Sequence, residues 1–194
     1  MKYIGTKELE TKRLILRRLT VNDYKIAYDN WCSNENVARY TLWKKHENSD
    51  ITKSLFTMWE RDYDNLDTFR WIVVLKSTNE PIGTIDVASK NYLIYDTAEI
   101  GYCYGEMFWG NGYATEALKR VIKYLFEEVE LKTIYASYME KNPKSGRVMI
   151  KAGMNYEGKL ISRVIDGDGI RNSIESCSIT IDDYNNKKEI YENI

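Results

Sequence analysis

The sequence predicts one α/β (α+β) domain, a mixed sheet of seven strands covered by helices. Three observations predict it. The 194 residues lie within the roughly 100–200 that a single domain occupies. Lys and Arg number 28 against 29 Asp and Glu, and 43% of residues are apolar, the balance of a globular chain. Stretches in which apolar residues alternate singly are interleaved with stretches in which they recur every three or four positions. Their order, β α α β β β α β α β β, mixes hairpins with crossovers.

Arg13-Leu14-Ile15-Leu16-Arg17-Arg18-Leu19 alternates apolar and charged positions and reads as the first strand. Thr20 then caps a helix over Val21 to Asn30, with Val21, Tyr24, Ala27 or Tyr28, and Trp31 at helical spacing and Asp23 near its positive end. A second helix, started by Ser49 or Asp50, places Ile51, Leu55, Met58 or Trp59, and Tyr63 at three- and four-residue steps. From Phe69 the period changes to two. Phe69 to Leu75 and Ile82 to Val87 read as strands joined through the turn chemistry of Ser77 to Pro81. Thr97 to Tyr104 is a further strand, Gly105 to Gly112 a glycine-bearing loop, and then comes the clearest helix. Its apolar face is Ala114, Ala117, Leu118, Val121, Ile122, Leu125, Phe126 and Val129. Thr133 to Glu140 is the next strand; Asn142-Pro143 opens a short helix that Gly153 closes. The last two strands, Asn155 to Ile165 and Ile170 to Ile181, meet at the hairpin turn Asp166-Gly167-Asp168-Gly169.

Several function classes drop out. A net charge of −1, with basic residues spread along the chain, lacks the footprint of a nucleic-acid binder. No stretch is apolar and long enough to cross a bilayer, and Met1 to Glu10 lacks the apolar core of a secretory signal, so no membrane partner and a cytoplasmic location are expected. Cys32, Cys103 and Cys177 are odd in number and widely spaced, and read as reduced thiols. The single histidine, His46, sits in a polar run from Lys44 to Asp50 that reads as a solvated loop, which removes most metal sites and a Ser-His-Asp triad. Asp166 to Gly169 begins like a calcium loop, but Ile170, Arg171 and Ser173 follow where ligands are needed. No metal is expected.

The informative segment is Glu106 to Ala117. A strand ends, Gly110 and Gly112 let the backbone turn tightly, and a long helix begins, so unpaired amides and the positive helix end face one point. A diphosphate suits that geometry. An ordinary strand-to-helix turn would use the same glycines, and neither a Walker lysine nor G-x-G-x-x-G is present.

This segment resembles the acetyl-CoA signature of the GNAT N-acetyltransferase superfamily, Gln/Arg-x-x-Gly-x-Gly/Ala, with Gly112 and Ala114 on its last two defined positions. Glu99-Ile100-Gly101-Tyr102 is similar to the preceding strand in the branch that acetylates ribosomal-protein N-termini. Asn142-Pro143-Lys144-Ser145, followed by Lys151-Ala152-Gly153-Met154, resembles that branch's N-x-x-S…K-x-G-F segment, and Thr11 to Arg17 and Pro81 to Ile85 fit it too. The resemblance covers residues 11–183, implying one acetyltransferase domain with 1–10 and 184–194 as terminal extensions. It also implies a mostly antiparallel seven-stranded sheet with helices on both faces and a splay between its two central strands.

From the same resemblance, acetyl-CoA is the implied co-substrate. Amides of Gly110, Asn111, Gly112, Tyr113, Ala114 and Thr115 would hold its pyrophosphate. The strand edge at Tyr102, Cys103 and Tyr104 would pair with the pantetheine amides, and Asn142 would bond the pantetheine arm. Asn142 reads equally as a helix cap, and Cys103 as a small strand residue. Two departures stand out: Trp109 replaces the Gln or Arg of the signature, removing one side-chain contact, and Met149 replaces the tyrosine acid of many superfamily members. The resemblance to the ribosomal branch implies a serine in that place, which points to Ser145.

An amine attacks a thioester only as the neutral base. At pH 7 an α-amine of pKa about 7.7–8.0 is neutral in roughly one molecule in ten, a lysine near 10.4 in roughly one in a few thousand. An α-amine therefore needs only a carboxylate acting through water. Glu99 is the candidate base, Glu140 the second choice. The expected activity is direct acetyl transfer to a primary amine, foremost a protein N-terminus. The alternatives are a small amine (antibiotic, polyamine or amino acid) held between Trp31 to Asp50 and the last hairpin, with Trp31, Tyr40 and Trp43 at hand, or a non-catalytic acyl-CoA-binding module. Monomer and homodimer remain equally open.

Overall fold

The computed structural model describes residues 1–89, 93–192 and 194. Its strands are β1 (Leu9–Glu10), β2 (Leu14–Arg17), β3 (Arg70–Leu75), β4 (Glu80–Ser89), β5 (Thr97–Tyr104), β6 (Thr133–Met139), β7 (Asn155–Ile165) and β8 (Arg171–Thr180). They form one sheet in the order β1-β2-β3-β4-β5-β6-β8-β7, eight strands where seven were expected. The extra one is β1, paired with β2 through Leu9↔Leu16 and Glu10↔Ile15. Two residues are too few to display an alternation.

All neighbouring strands run antiparallel except β5 and β6. That parallel pair is bonded only through Thr97↔Thr133, Ala98↔Ile134 and Glu99↔Tyr135. Beyond it, β5 continues to Tyr104 and β6 to Met139 without pairing each other, so the middle of the sheet splays open.

Helices cover both faces. On one lie α4 (Tyr113–Glu127), α5 (Pro143–Lys151) and α6 (Ile181–Asn186), packed on Trp71, Val73, Ile85 and Ile100. The α4 stripe is buried as its spacing predicts: Ala117, Leu118, Val121, Ile122, Leu125 and Phe126 are at most 3% exposed. Each of the larger of these side chains contributes about 1.5–3 kcal/mol on burial. On the other face α3 (Ser49–Arg61) and the helical segment before it enclose Leu19, Ala27, Trp31, Phe56, Ile72 and Val74.

That earlier segment differs from the single helix expected over Val21 to Asn30. It is a 3-10 turn (Val21–Asp23), an α-helical turn, α1 (Tyr24–Ala27), and a π-helical turn (Tyr28–Cys32). The wider π turn carries both Trp31 and Cys32 inward, a packing requirement that 3.6-residue spacing does not reveal. A short α2 (Glu35–Ala38) follows, capped by Asn34, whose side chain accepts from the amides of Asn36 and Val37. The cap of α3 is Asn48 rather than Ser49 or Asp50. Asn142 caps nothing with its side chain at the start of α5, where Pro143 has already removed one amide.

Residues 1–10 and 184–194 were expected as extensions; of these, Leu9 enters the core at 2% exposure, and Tyr184 and Tyr191 do so at 1% with rings 4.8 Å apart. Among the described residues no helix is long and apolar enough to cross a membrane.

Close approach of α5 to β6 depends on Gly146, where an added Cβ would stand 2.6 Å from the Tyr138 hydroxyl oxygen and nearer still to the ring. Gly146→Ala is expected to destabilise the fold by about 1–3 kcal/mol through overpacking, despite alanine's better helix propensity. Urea unfolding checks this as a lowered midpoint at unchanged slope.

Candidate active site

The loop between β5 and α4 carries the two glycines and ends at the N-terminus of α4. Gly110 and Gly112 have φ of +80° and +81°; an added Cβ on Gly110 would meet nothing within 4 Å, whereas one on Gly112 would stand 3.5 Å from the Arg13 guanidinium. Gly112 is the N-cap residue and no side chain caps the turn. The first bond inside α4 runs from the Glu116 amide to the Gly112 carbonyl, 3.0 Å, which leaves the amides of Tyr113, Ala114 and Thr115 at the positive helix end. The sequence places Gly110, Asn111, Gly112, Tyr113, Ala114 and Thr115 here, and the structure brings them together in this one turn.

Arg13 braces that turn, and sequence reasoning did not single it out as a site residue. From just ahead of β2 its guanidinium reaches the Glu116 carboxylate (2.6 and 2.7 Å) and the Asn111 carbonyl (3.0 Å), and it stacks 4.6 Å from the Tyr113 ring centre. Burial pushes the Glu116 carboxyl up, but hydrogen bonds from Thr11 and Arg13 outweigh it and hold the group below its ordinary pKa. The acid in the first turn of α4 is thereby neutralised, and no uncompensated negative charge opposes an anion.

Along β5, the Gly105 amide donates to the Ile82 carbonyl on β4 (3.0 Å), and Cys103 pairs with Thr84. Backbone groups alternate in direction along a strand, so those of Cys103 face β4 while those of Tyr102 and Tyr104 face the splay. Tyr102 and Tyr104, rather than Cys103, therefore offer main-chain partners to a pantetheine-like chain. One acceptor is occupied, because the Trp109 indole N–H donates to the Tyr104 carbonyl at 2.8 Å. The Trp109 ring also lies 5.6 Å from the Lys144 ammonium of α5, so the residue that departs from the signature links the two walls of the groove. Asn142, free of a capping duty, stands at the start of α5 beside it.

Ser145 lies one turn into α5. Its Oγ is 2.8 Å from the Tyr102 hydroxyl, which is also 3.0 Å from the Ser145 carbonyl oxygen. Met149, at the helix position where a phenol was missed, is 1% exposed in the core. Burial raises the Tyr102 pKa, partly offset by its bond to Ser145, so the phenol stays neutral.

Glu99 is the last β5 residue paired to β6 and points to the opposite face from Tyr102. Burial lifts its carboxyl pKa above the ordinary value, with the Tyr135 hydroxyl bond at 3.3 Å acting the other way. A half-buried carboxylate of raised pKa at the root of the splay has the character of a general base. Glu140 instead faces solvent in an ion pair with Lys159 at 2.5 Å. The thiols are held protonated: burial pushes Cys32 up to about 12 and raises Cys103 and Cys177. None has the environment of a nucleophile.

Trp31 belongs to the core at 2% exposure, whereas Trp43 and Tyr40 stay half-buried. His46 is not on a solvated loop: it is half-buried, its Nδ1 2.7 Å from Thr52 Oγ1 and its ring 5.5 Å from Trp43, and burial lowers its pKa. Between residues 35–47 and the hairpin turn 166–168 lies a cavity of about 170 Å³, lined by Glu35, Arg39, Trp43, Lys44, Glu47 and Asp168 among others. The Glu106 carboxylate ties this region to the glycine loop before α4 by accepting from Asn34 (3.1 Å) and Asn36 (3.0 Å). Among the described residues no group of three or more His, Cys, Asp or Glu is placed to hold a metal ion.

A family model described as an acetyltransferase (GNAT) domain matches residues 13–155. The chain is 34% identical over 155 residues to the "Uncharacterized N-acetyltransferase YoaA" of Bacillus subtilis (strain 168), covering 78% of this chain and 85% of that one. It is 27% identical over 149 residues to the spermidine N(1)-acetyltransferase of Vibrio cholerae, covering 77% and 83%. The crystal structure of a ribosomal-protein-S5-alanine acetyltransferase from Vibrio fischeri shares the fold, with a TM-score of 0.79 at 20% identity over 92% of this chain and 98% of that one.

Replacing Gly112 by Val puts a β-branched side chain at positive φ, with its Cβ 3.5 Å from the Arg13 guanidinium that braces the turn. The dissociation constant for acetyl-CoA, measured by calorimetry, is expected to rise at least about tenfold in a folded protein; unaltered affinity counts against the cradle.

Proposed function

The chain belongs to the GNAT acetyltransferase family, and from that premise we propose that it acetylates protein N-terminal α-amines by direct transfer in a ternary complex. Acetyl-CoA dependence and N-acetyl transfer come with the family. Acetyl-CoA fits the residues present: the open glycine turn and unpaired α4 amides would take its diphosphate, Tyr102 and Tyr104 its pantetheine amides, and Asn142 the arm. The cofactor supplies an activated acetyl thioester. Glu99 would accept a proton through water from the incoming amine, and backbone amides in the splay would meet the developing oxyanion.

The observation that carries this arrangement is the split between faces. Glu99 stands on the α1–α3 side of the sheet, Tyr102 and Ser145 on the α4–α5 side, with the unpaired strand edges between them. An amine arriving from one face and a thioester from the other meet in the splay. For the acceptor, the cavity of about 170 Å³ between residues 35–47 and the hairpin turn supports an extended chain end. It is smaller than the roughly 300–1,000 Å³ of pockets that enclose small molecules. Likeness of fold to the S5-alanine enzyme agrees with this reading. A polyamine is the competing acceptor, favoured by the spermidine-acetylating relative; the carboxylates around the cavity are offset, Glu35 by Lys45 at 2.9 Å and Asp168 by Lys44 at 3.7 Å. A cytoplasmic setting suits three unpaired thiols.

A thiol-release assay with acetyl-CoA against N-terminal peptides, polyamines and aminoglycosides tests the reading. Peptides are expected to give the highest kcat/KM; a polyamine in that place overturns the acceptor assignment, and cofactor binding without release on any amine identifies a silent binding module. Because Glu99 must be ionised to act and its pKa is raised, activity is expected to fall as pH drops through a value above the ordinary glutamate range. In Glu99→Gln that limb is replaced by a steeper one at higher pH, set by deprotonation of the amine itself. The rate at pH 7 drops by about 100-fold or more and recovers toward pH 9, where the amine is neutral unaided. Full activity of Glu99→Gln across pH 6–9 removes Glu99 as the base.

A further inference from the structure

We propose that the Tyr102 phenol is a positioning residue for acetyl transfer, holding the Ser145 hydroxyl so that its proton points at the departing coenzyme A sulfur. This rests on the acetyltransferase reading above. The helix position that would carry a phenol holds Met149, buried in the core and unable to donate. Tyr102 brings a phenol to the same helix from a different element. It lies on β5 past the last residue paired with β6, and its hydroxyl reaches Ser145 Oγ at 2.8 Å and the Ser145 carbonyl oxygen at 3.0 Å.

The phenol has one proton and two acceptors. If that proton goes to the carbonyl, the serine proton turns back onto the phenol oxygen and is lost to the splay. If it goes to Oγ, the serine proton is free to point outward. Negative charge growing on sulfur favours the second arrangement, in which phenol, serine and sulfur form a chain of donors that polarise one another.

Neither hydroxyl needs to give up its proton. A thiol has an ordinary pKa of about 8.5, below that of any alcohol and of a phenol near 10, and burial moves Tyr102 further up. In the transfer, the amine lone pair attacks the carbonyl carbon and the N–C bond forms. The C–S bond breaks with its electron pair on sulfur, and the extra amine proton passes through water to Glu99. Sulfur leaves as a thiolate hydrogen-bonded by Ser145 and takes a proton from solvent afterwards. Ser145 thus acts as a hydrogen-bond donor to the leaving group, and Tyr102 acts through Ser145.

The test measures kcat with the best acceptor from the thiol-release assay, and acetyl-CoA affinity by calorimetry, in Tyr102→Phe, Ser145→Ala, Ser145→Thr and the double variant Tyr102→Phe/Ser145→Ala. Each single removal of a hydroxyl is expected to lower kcat roughly 10- to 100-fold, with affinity within about twofold of wild type. The double variant should be no slower than Ser145→Ala, because a phenol with no serine to orient contributes nothing. Ser145→Thr, which restores the hydroxyl, should recover most of the rate. Wild-type kcat in Tyr102→Phe, losses that multiply in the double variant, or a loss confined to affinity overturns the proposal. If Tyr102→Phe does not fold, 3-fluorotyrosine introduced at position 102 decides: a more acidic phenol should raise kcat, and an unchanged kcat overturns the proposal. Wild-type protein that releases no thiol with any amine removes the acetyltransferase reading and this inference together. Wild-type turnover matched by Tyr102→Phe removes the inference alone.

Discussion

Two parallel strands that stop pairing after Glu99 and Tyr135 set the terms for everything around them. Their separation leaves peptide groups of Tyr102 and Tyr104 facing a gap in the interior of a sheet, where an unmade hydrogen bond costs about 1–3 kcal/mol. A sheet tolerates such a gap only if something else supplies the partners. One partner is already built in, the Trp109 indole on the Tyr104 carbonyl. The remaining groups leave a slot for a slender chain with amides of its own, the place proposed above for pantetheine.

Two local sources of positive potential lie beside the slot, and neither shows in the net charge of −1. The α4 amides and their dipole converge beside Arg13, and Lys144 lies against the Trp109 ring. Fields of this kind act within a few ångströms and need no excess of basic residues over the whole surface. The acid that would spoil the arrangement, Glu116, is tied up by Thr11 and Arg13. Electrostatics here is a matter of placement, and the near-neutral composition is compatible with strong anion recognition.

Long amphipathic elements were legible in the sequence, because burial of a whole face imposes a period. β5 has the bounds expected of it, and α4 starts within a residue of the expected place; β7 also matches, though it is exposed along nearly all its length and owes its bounds to the hairpin with β8. Short or irregular elements were not. The two residues of β1, the four of α2 and the π turn at Tyr28–Cys32 are made by tertiary packing rather than by a repeating pattern. In the site, the turn from Gly110 to Thr115 could be read because glycines before a helix carry a local meaning. Arg13 could not, since 103 positions separate it from Glu116 and no spacing joins them. Tyr102 was legible only for its backbone. The meeting of its hydroxyl with Ser145, 43 positions away, depends on how α5 seats against β6. Asn142 shows the converse, a strong local cap signal that the folded chain leaves unused.

Trp109 has one more consequence, an optical one. Of five tryptophans, Trp31 and Trp71 are sealed in the two cores, while Trp109 stands at the mouth of the groove with its N–H on Tyr104 and a cation over its ring. Indole emission responds to a nearby charge and to water, so a ligand seated as proposed above would change the surroundings of this one ring. The position where the signature departs from the family pattern would then serve as a reporter of occupancy.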